Sequence, residues 1–238
     1  MKNETDALDV SFQDDFPCAY FEDGRTASLE YCIVTRERTS DFHKFLARGY
    51  RRLGRVFYRN VCGSCSACRP LRVVTKSFVP SRSQKRTLRA NEDLRIEIPS
   101  SPSVTPEKIE LYTGYLRSKH GEDRSGEGGV LETLMTLHCG YAHAIEMDYT
   151  LNGRLVGVGI VDEGRDSLSS NYFYYDTDFL ERRLGVFSIL SELSLARSLK
   201  KRYYYLGFYI EETQKMAYKK HFRPNQIRKG GKWENFLR

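Results

Sequence analysis

The 238 residues include 40% hydrophobic and 13% aromatic side chains, which excludes a disordered chain and is enough for one large domain or two modest ones. No run of about 18 apolar residues occurs and the N-terminus is polar and acidic, so the sequence predicts neither a membrane span nor a secretory signal, and we expect a cytoplasmic protein. The net charge of +7 is uneven, because residues 48–95 hold 13 Lys/Arg and 2 Asp/Glu whereas the remainder carries a net charge of −4.

The first hundred residues predict short helices and strands around a cluster of cysteines. Residues 1–20 are polar and are predicted to be loosely structured. A helix is predicted over residues 41–50, with Asp41 as its N-cap and Gly49 at its end. FYRNV and LRVVTKSFV predict strands on the two sides of the cysteines, and SRSQKRTLRANEDL predicts a helix that starts at a serine. IPSSPSVTPEK predicts a surface linker.

The rest of the chain alternates between helices and strands. Residues 107–119 predict a helix, and HGEDRSGEGG predicts a flexible loop suited to cover a site as a lid. Asn152-Gly153 lies between AHAIEMDY and VGVGIVDEG, which predicts a β-hairpin. SLSSNYFYYD, the amphipathic segment after Arg183 and RYYYLGFYI together predict a βαβ unit with parallel strands, followed by a short helix over ETQKMAYKKH.

The turn before the amphipathic helix carries Arg182, Arg183 and Gly185. An arginine and a glycine at a helix N-terminus form a cradle for an anion, and the turn resembles the acyl-donor loop of the GNAT acetyltransferase superfamily. Phe187 stands where that loop has its second small residue, and its ring would crowd a pyrophosphate. We therefore expect no CoA. An ordinary tight turn before a helix is the alternative interpretation.

The cysteines suggest a metal site rather than disulfides, because the chain is neither small nor visibly secreted. Cys62, Cys65 and Cys68 place three thiols within seven residues, a spacing that suits one metal ion or cluster, and Cys18 is the candidate fourth ligand. Zinc and an iron–sulfur centre are both compatible with four thiolates. The other two cysteines, Cys32 and Cys139, lie in apolar surroundings and are predicted to be buried thiols.

Motifs over almost the full length resemble one family. RGYRRLGRVFYRN, CGSCSACRPLRV and SRSQKRTLRANEDL match its N-terminal module, whereas LYTGYLRSKH, VGVGIVD, NYFYYD, RRLGVFSIL and YYYLGFYIEETQKMAYKKHFRP match its C-terminal module. The sequence resembles the arginyl-tRNA–protein transferase family, and within it the short bacterial branch that transfers leucine to N-terminal Asp or Glu.

This resemblance implies a fold, two substrates and a physiological role. The expected fold is α+β, with a cysteine-containing N-terminal module over residues 1–100 and a GNAT-like catalytic domain over residues 101–238. The donor is an aminoacyl-tRNA and the acceptor is a protein with an acidic N-terminus, which the transfer tags for degradation. The basic stretch then has a partner in the tRNA backbone, and the candidate tRNA contacts are Arg51, Arg52, Arg82, Lys85, Arg86 and Arg89.

The implied reaction is aminolysis of an ester by a protein α-amine. That amine has a pKa near about 7.7–8.0, so positioning and oxyanion stabilisation can supply most of the catalysis. Asp176 and Tyr209 are the candidates for proton handling. An acidic acceptor needs a cation, and Lys215 and Lys219 are spaced to share one helix face. The candidate donor and acceptor contacts are Arg183, Gly185, Lys215, Tyr218, Lys219 and Arg223.

Three alternatives stay open. The transferred amino acid can be arginine rather than leucine. An acetyl-CoA-dependent N-acetyltransferase would explain the βαβ unit but not the basic stretch. A metal-containing RNA-binding protein would explain the cysteines and the charge but would leave the C-terminal half without a role.

Overall fold

The computed structural model describes residues 10–34, 41–120 and 129–237. A small antiparallel sheet is formed by residues before 61. Its strands are β1 (Val10–Pro17), β2 (Thr26–Ile33), β3 (Arg51–Leu53) and β4 (Val56–Asn60), in the order β1-β2-β4-β3. The loose structure predicted for residues 1–20 is therefore wrong for residues 10–17, which pair with β2 along their whole length. Polar side chains suit this strand because most of its described side chains are exposed.

A larger, eight-stranded sheet forms the centre of the molecule. Its strands are β5 (Arg69–Val74), β6 (Arg95–Glu97), β7 (Ala144–Leu151), β8 (Arg154–Glu163), β9 (Ser167–Tyr175), β10 (Tyr203–Tyr209), β11 (Asn225–Lys229) and β12 (Lys232–Leu237). Their order is β12-β11-β5-β10-β9-β8-β7-β6. Two of these strands, β5 and β6, precede residue 100, so the larger sheet draws on both sides of the predicted domain division.

Six α-helices are described with these sheets. They are α1 (Phe42–Ala47), α2 (Arg82–Arg89), α3 (Pro106–His120), α4 (Gly129–Cys139), α5 (Leu184–Ser198) and α6 (Gln214–Ala217). The helix predicted from SRSQKRTLRANEDL is confirmed as α2, where Ser81 and Gln84 form a reciprocal capping box that satisfies two backbone N–H groups of the helix start. Residues 121–128, which make up most of the predicted lid, lie outside the described residues.

The hairpin and the βαβ unit are both confirmed. Asn152 and Gly153 adopt positive φ angles of 50° and 83° between β7 and β8, the conformation that a two-residue hairpin turn requires. Strands β9 and β10 pair in parallel, and α5 connects them. All other neighbours in the described sheet are antiparallel. The mixed α+β fold with a small N-terminal sheet is the expected one.

Hydrophobic cores lie on the two sides of the larger sheet. One core packs Phe187, Leu190 and Leu193 of α5 against the sheet. The other packs α1, α3 and the small sheet against the opposite side. No helix in the described part of the chain is both long and apolar enough to cross a membrane. The larger sheet is thus covered on both faces, and any site within it must open where two strands separate.

Candidate functional site

Strands β9 and β10 separate towards their C-terminal ends. Their parallel pairing ends at Tyr205 and Ser169, and the register of β10 with β5 shifts beside Gly207. Gly207 has a φ of +81°, and a Cβ atom there would lie 3.1 Å from Cζ of Arg51. The glycine therefore provides both the left-handed backbone and the space for this arginine. The gap between the strands is defined here as the β9–β10 gap.

Arg51 reaches this gap from β3 of the small sheet. Its guanidinium donates hydrogen bonds to Ser169 Oγ at 3.1 Å, to the Ser170 carbonyl at 2.6 Å and to the Asn171 carbonyl at 3.3 Å. These contacts fix the side chain against β9. The structure therefore places the guanidinium of Arg51 in the β9–β10 gap, and its predicted contact with the tRNA backbone stays a prediction.

Arg52 points the other way and is fully buried. It forms an ion pair with Asp162 of β8, and the two side chains are 0% and 2% exposed. Its Nη1 also donates to the Gly54 carbonyl at 2.7 Å. A guanidinium without exposed surface cannot contact a phosphate backbone, so the predicted tRNA contact by Arg52 is wrong.

Lys219 approaches the gap from the other side. Its Nζ donates to the Phe208 carbonyl of β10 at 2.9 Å and lies 3.3 Å from the sulfur of Met216. Burial, assisted by the charge of Arg51, lowers the pKa of Lys219 to about 7. Lys215 is exposed on α6, whereas Lys219 lies in the following 3-10 helix. The two lysines therefore do not share the helix face that their spacing predicted.

A buried carboxyl group lies below the same gap. Glu192 of α5 has no exposed surface and accepts hydrogen bonds from Ser188 Oγ at 2.9 Å and from the Tyr204 hydroxyl at 2.6 Å. Burial raises the pKa of Glu192 to about 7, although these hydrogen bonds and the charge of Arg51 oppose the shift. Perturbed acids and bases near one cleft are typical of functional sites, and no local pattern in the sequence distinguishes Glu192 from other helix residues.

A cavity of about 730 Å³ opens at the N-terminus of α5. It is defined here as the helix cavity, and its lining includes Ser83, Arg183, Val186, Tyr218 and Arg223. Arg183 has φ 56° and ψ 45° directly before α5, and its Nη1 donates to Ser83 Oγ at 2.9 Å. The cavity therefore adjoins the N-terminal turns of two helices, α2 and α5, where free N–H groups favour an anion.

The structure brings several predicted contacts together in this cavity. Arg183, Tyr218 and Arg223 all line it, and a Cβ atom at Gly185 would meet no other atom within 4 Å. Gly185 thus leaves open space above the first turn of α5. Phe187 is 6% exposed and packs against Tyr149 in the core. The expectation that its ring would crowd an anion at the turn is therefore wrong.

Helix α2 presents a basic face next to the helix cavity. Arg82, Lys85, Arg86 and Arg89 are all exposed, and their spacing places them along one side of the helix. The opposite side buries Gln84 and Thr87. These four predicted tRNA contacts remain available to a polyanion, unlike Arg52.

The two residues predicted to handle protons, Asp176 and Tyr209, both make contacts within the fold. Asp176 forms an ion pair with Arg154 and accepts a hydrogen bond from the Asp178 backbone N–H at 3.0 Å, which caps the following 3-10 helix. Its role in proton transfer stays a prediction. Tyr209 is 0% exposed, and its ring lies against Phe236. Its hydroxyl is buried without a hydrogen-bond partner among the described residues, and its catalytic role likewise stays a prediction.

A second cavity, of about 650 Å³, lies on the side of the small sheet. It is defined here as the basic cavity. Among the described residues, its lining contains one acidic residue, Glu212, and six basic ones, Arg25, Arg48, Arg59, Arg69, Arg228 and Lys229. Phe208 also lines it, and the Phe208 carbonyl is the acceptor for Lys219. The basic cavity therefore adjoins the β9–β10 gap.

The clustered cysteines form part of the wall of the basic cavity. Cys62, Cys65 and Cys68 line it, between β4 and β5, and all are free thiols. Burial and the neighbouring cysteines, with Cys18 the foremost of them, raise the pKa of Cys68 to about 12. The four predicted ligands are therefore close enough to affect one another. Within the described ranges, however, no three Cys, His, Asp or Glu side chains are arranged to hold one metal ion.

The two remaining cysteines differ from each other. Cys32 is buried at 0% exposure, as predicted, and lies near the Tyr50 hydroxyl. Cys139 ends α4 and is exposed, so its predicted burial is wrong. Apolar neighbours in the sequence do not determine whether a residue at the end of a helix is covered by the rest of the fold.

Several residues of these sites were not selected from the sequence. Arg48, Arg228 and Glu212 meet in the basic cavity although they are far apart in the chain. The charge count drew attention to Arg48 only as part of a long basic stretch. No local pattern connects it with Arg228, because the pairing of β11 with β5 brings the C-terminal segment back to the N-terminal half.

The N-terminal and C-terminal parts of the chain both match a known family. Residues 16–86 match the N-terminal model of arginine-tRNA-protein transferase, and residues 107–229 match the C-terminal model. The aspartate/glutamate leucyltransferase of Shewanella putrefaciens is 37% identical over 222 residues, which cover 92% of each chain. The enzyme of the same description from Aeromonas hydrophila subsp. hydrophila is 34% identical, over 96% of this chain and 95% of the relative.

A solved structure is also similar in part. The C-terminal domain of a putative lysylphosphatidylglycerol synthetase from Agrobacterium fabrum superposes with a TM-score of 0.46 and 12% identity, over 60% of this chain and 47% of that one. The family matches extend over most strands of both sheets, the helix cavity and the β9–β10 gap. The chain therefore belongs to the arginine-tRNA–protein transferase family.

Proposed function

We propose that this protein transfers leucine from Leu-tRNA to the N-terminal Asp or Glu of an acceptor protein. The single observation that carries the proposal is that the basic face of α2 adjoins the helix cavity, whose lining residue Tyr218 directly precedes Lys219 at the β9–β10 gap. The leucyltransferases to which the chain is similar supply the choice of amino acid and of acceptor.

The tRNA end would occupy the α5 side of the sheet. The exposed side chains of Arg82, Lys85, Arg86 and Arg89 suit the phosphates of the acceptor stem. The terminal phosphates would enter the helix cavity, where Arg183 and Arg223 lie beside two helix N-termini. The aminoacyl ester would then lie on the side of Tyr218, the lining residue that precedes Lys219.

The chemistry follows from the residues at the gap. The acceptor amine attacks the ester carbonyl, so a C–N bond forms, the C–O bond to the terminal ribose breaks, and the ribose oxygen receives a proton. Lys219, with its pKa of about 7, is suited to take the proton from the amine. Arg51 is held within the gap by three hydrogen bonds and is suited to stabilise the negative oxygen of the tetrahedral intermediate.

The test offers an Asp-starting peptide to the purified protein with radiolabelled Leu-tRNA or Arg-tRNA, in parallel. Labelled peptide from leucine alone is the expected result. Label from arginine alone would keep the mechanism and replace the donor, a result that the family description makes the second candidate. Absence of label from both, with acetyl transfer from acetyl-CoA, would reject aminoacyl transfer.

We also propose that Cys18, Cys62, Cys65 and Cys68 bind zinc or an iron–sulfur centre. The support is a set of four free thiols, of which Cys62, Cys65 and Cys68 line the basic cavity and Cys18 lies close enough to affect the pKa of Cys68. Such a centre would fix the β4–β5 connection to the turn after β1. Metal analysis of protein purified without oxygen should find metal that is lost in Cys65→Ser but kept in Cys139→Ser. Metal-free protein with unchanged thermal stability would reject the centre.

A further inference from the structure

The charge of the basic cavity is only partly balanced. Arg25 pairs with Asp23, Arg59 pairs with Glu30 at 2.7 Å, and Arg69 pairs with Glu211 at 3.4 Å. Arg48 and Arg228 have no carboxylate within ion-pair distance in the described part of the chain; Arg228 Nε donates only to the Ala47 carbonyl, at 3.3 Å. Burial and the charges of Arg59 and Arg48 lower the pKa of Arg228. Arginines that repel one another in a cavity indicate a site that an anion completes.

The cavity also contains groups that suit a cation or a hydrogen-bond donor. The carboxylate of Glu212 is exposed at its wall. The side-chain oxygen of Asn60 is buried without a hydrogen-bond partner among the described residues, and Asn60 lines the same cavity. A buried acceptor without a partner is costly unless a ligand supplies the donor. The expected ligand therefore carries a carboxylate together with an amino group or peptide N–H groups.

The position of the cavity selects between the two substrates. The helix cavity and the basic face of α2 lie beside α5, whereas the basic cavity is bounded by β4, the cysteine segment and β11. Phe208 connects the basic cavity with the β9–β10 gap, because this residue lines the cavity and its carbonyl accepts a hydrogen bond from Lys219. An acceptor bound there would reach the ester from the side opposite to the tRNA.

We propose that the basic cavity receives the acidic N-terminal residue of the acceptor protein, with Arg48 and Arg228 contacting its side-chain carboxylate and Glu212 its α-amino group. The inference rests on the proposed transfer to Asp or Glu termini and adds the place and the residues of recognition. A tRNA backbone is the less suitable occupant, because its phosphate groups would lie beside the carboxylate of Glu212 and it carries no cation to pair with that group.

The test measures binding of fluorescent Asp-starting and Asn-starting peptides by anisotropy, in the absence of tRNA. Wild-type protein should prefer the Asp peptide, and the Arg48→Gln/Arg228→Gln variant should bind it roughly 10- to 100-fold more weakly, as expected when charged hydrogen bonds are removed. Binding of the Asn peptide should change little. Arg55→Gln is the matched control, because Arg55 is exposed on the same module outside this cavity.

Three outcomes overturn the inference. The first is an unchanged preference for the Asp peptide in the double variant, and the second is no such preference in the wild type. The third is loss of Leu-tRNA binding by the double variant with the peptide preference kept, which would assign the cavity to tRNA. Glu212→Gln should weaken both peptides to a similar extent. Because no step uses leucine transfer, a wild type that prefers the Asp peptide but transfers no leucine supports this site and rejects the proposed function.

Discussion

Glu192 is a carboxyl group for which burial costs stability at neutral pH. Its pKa rises from 4.5 to about 7, which corresponds to roughly 3 kcal/mol between its two protonation states. Between these two values the native state binds more protons than the unfolded state, so this group lowers the free energy of unfolding as the pH rises through that window. Above about pH 7 the loss is complete.

The Glu192→Gln variant should remove this pH dependence. We expect its free energy of unfolding, relative to wild type, to increase by about 3 kcal/mol from pH 4.5 to pH 8. Urea unfolding at several pH values measures the difference. Glu110→Gln, at an exposed position of α3, should show no such trend. A parallel pH dependence in wild type and Glu192→Gln would disprove the assignment.

Lys219 offers a second prediction at a single residue. In the Lys219→Arg variant the side chain stays positively charged, because arginine does not lose its proton near neutral pH. The variant therefore keeps the cation at this position but loses the proton acceptor. We expect the rate of leucine transfer at saturating peptide to fall roughly 100-fold, in line with general-base contributions. The rate should also no longer increase as the pH rises through about 7. Single-turnover transfer measures this, with Lys215→Arg as the exposed control. Near-wild-type transfer by Lys219→Arg would assign it to substrate binding alone.

At the scale of elements, α2 combines two roles on its two faces. Gln84 and Thr87 are buried on the inner face, whereas Arg82, Lys85, Arg86 and Arg89 are exposed. The inner face fixes the helix beside α5, and the exposed positions need no particular side chain for stability. The exposed basic residues can therefore be replaced without loss of the fold.

Replacement of these four residues by glutamine should weaken Leu-tRNA binding roughly tenfold or more. The slope of log affinity against log salt should fall by roughly 0.7–0.9 for each phosphate that the variant no longer neutralises. Filter binding between 50 and 200 mM salt measures both. Arg197→Gln/Lys200→Gln, at the other end of α5, is the matched control. An unchanged salt slope in the fourfold variant would show that tRNA binds elsewhere.

At the scale of the whole molecule, two adjacent arginines join the two sheets. Arg51 of β3 bonds to β9, and Arg52 of β3 pairs with Asp162 of β8. Alternation along the strand directs their side chains to opposite faces, so one reaches the reactive gap and the other the core. The small sheet thereby supplies a residue to the site in the larger sheet.

Removal of the buried arginine should destabilise this junction. Arg52→Met leaves Asp162 buried without its cation, and such losses cost about 3–5 kcal/mol. Urea unfolding of Arg52→Met against Arg55→Met measures the loss at a buried and an exposed position of the same module. The Arg52→Met/Asp162→Leu double variant should recover most of it. A loss in Arg52→Met as small as in the control would show that water or another group replaces the cation.

The sequence alone determined the features that depend on neighbours along the chain. The Asn152–Gly153 turn, the capping box at Ser81 and the parallel βαβ unit follow from local preferences and short connections. The resemblance to the family also rested on short stretches of neighbouring residues. The turn before α5 was also selected from the sequence, and one of its residues, Arg183, lines the helix cavity.

Only the tertiary structure decided what depends on burial and on distant pairing. Arg51 and Arg52 have the same type of side chain and adjacent positions, yet the strand faces give them different roles. Lys219 acquires a pKa near 7 only because β10 and Arg51 surround it. Arg48 and Arg228 meet only because β11 returns to β5. Desolvation and charge–charge energies depend on distances in space, and no local pattern of residues specifies those distances.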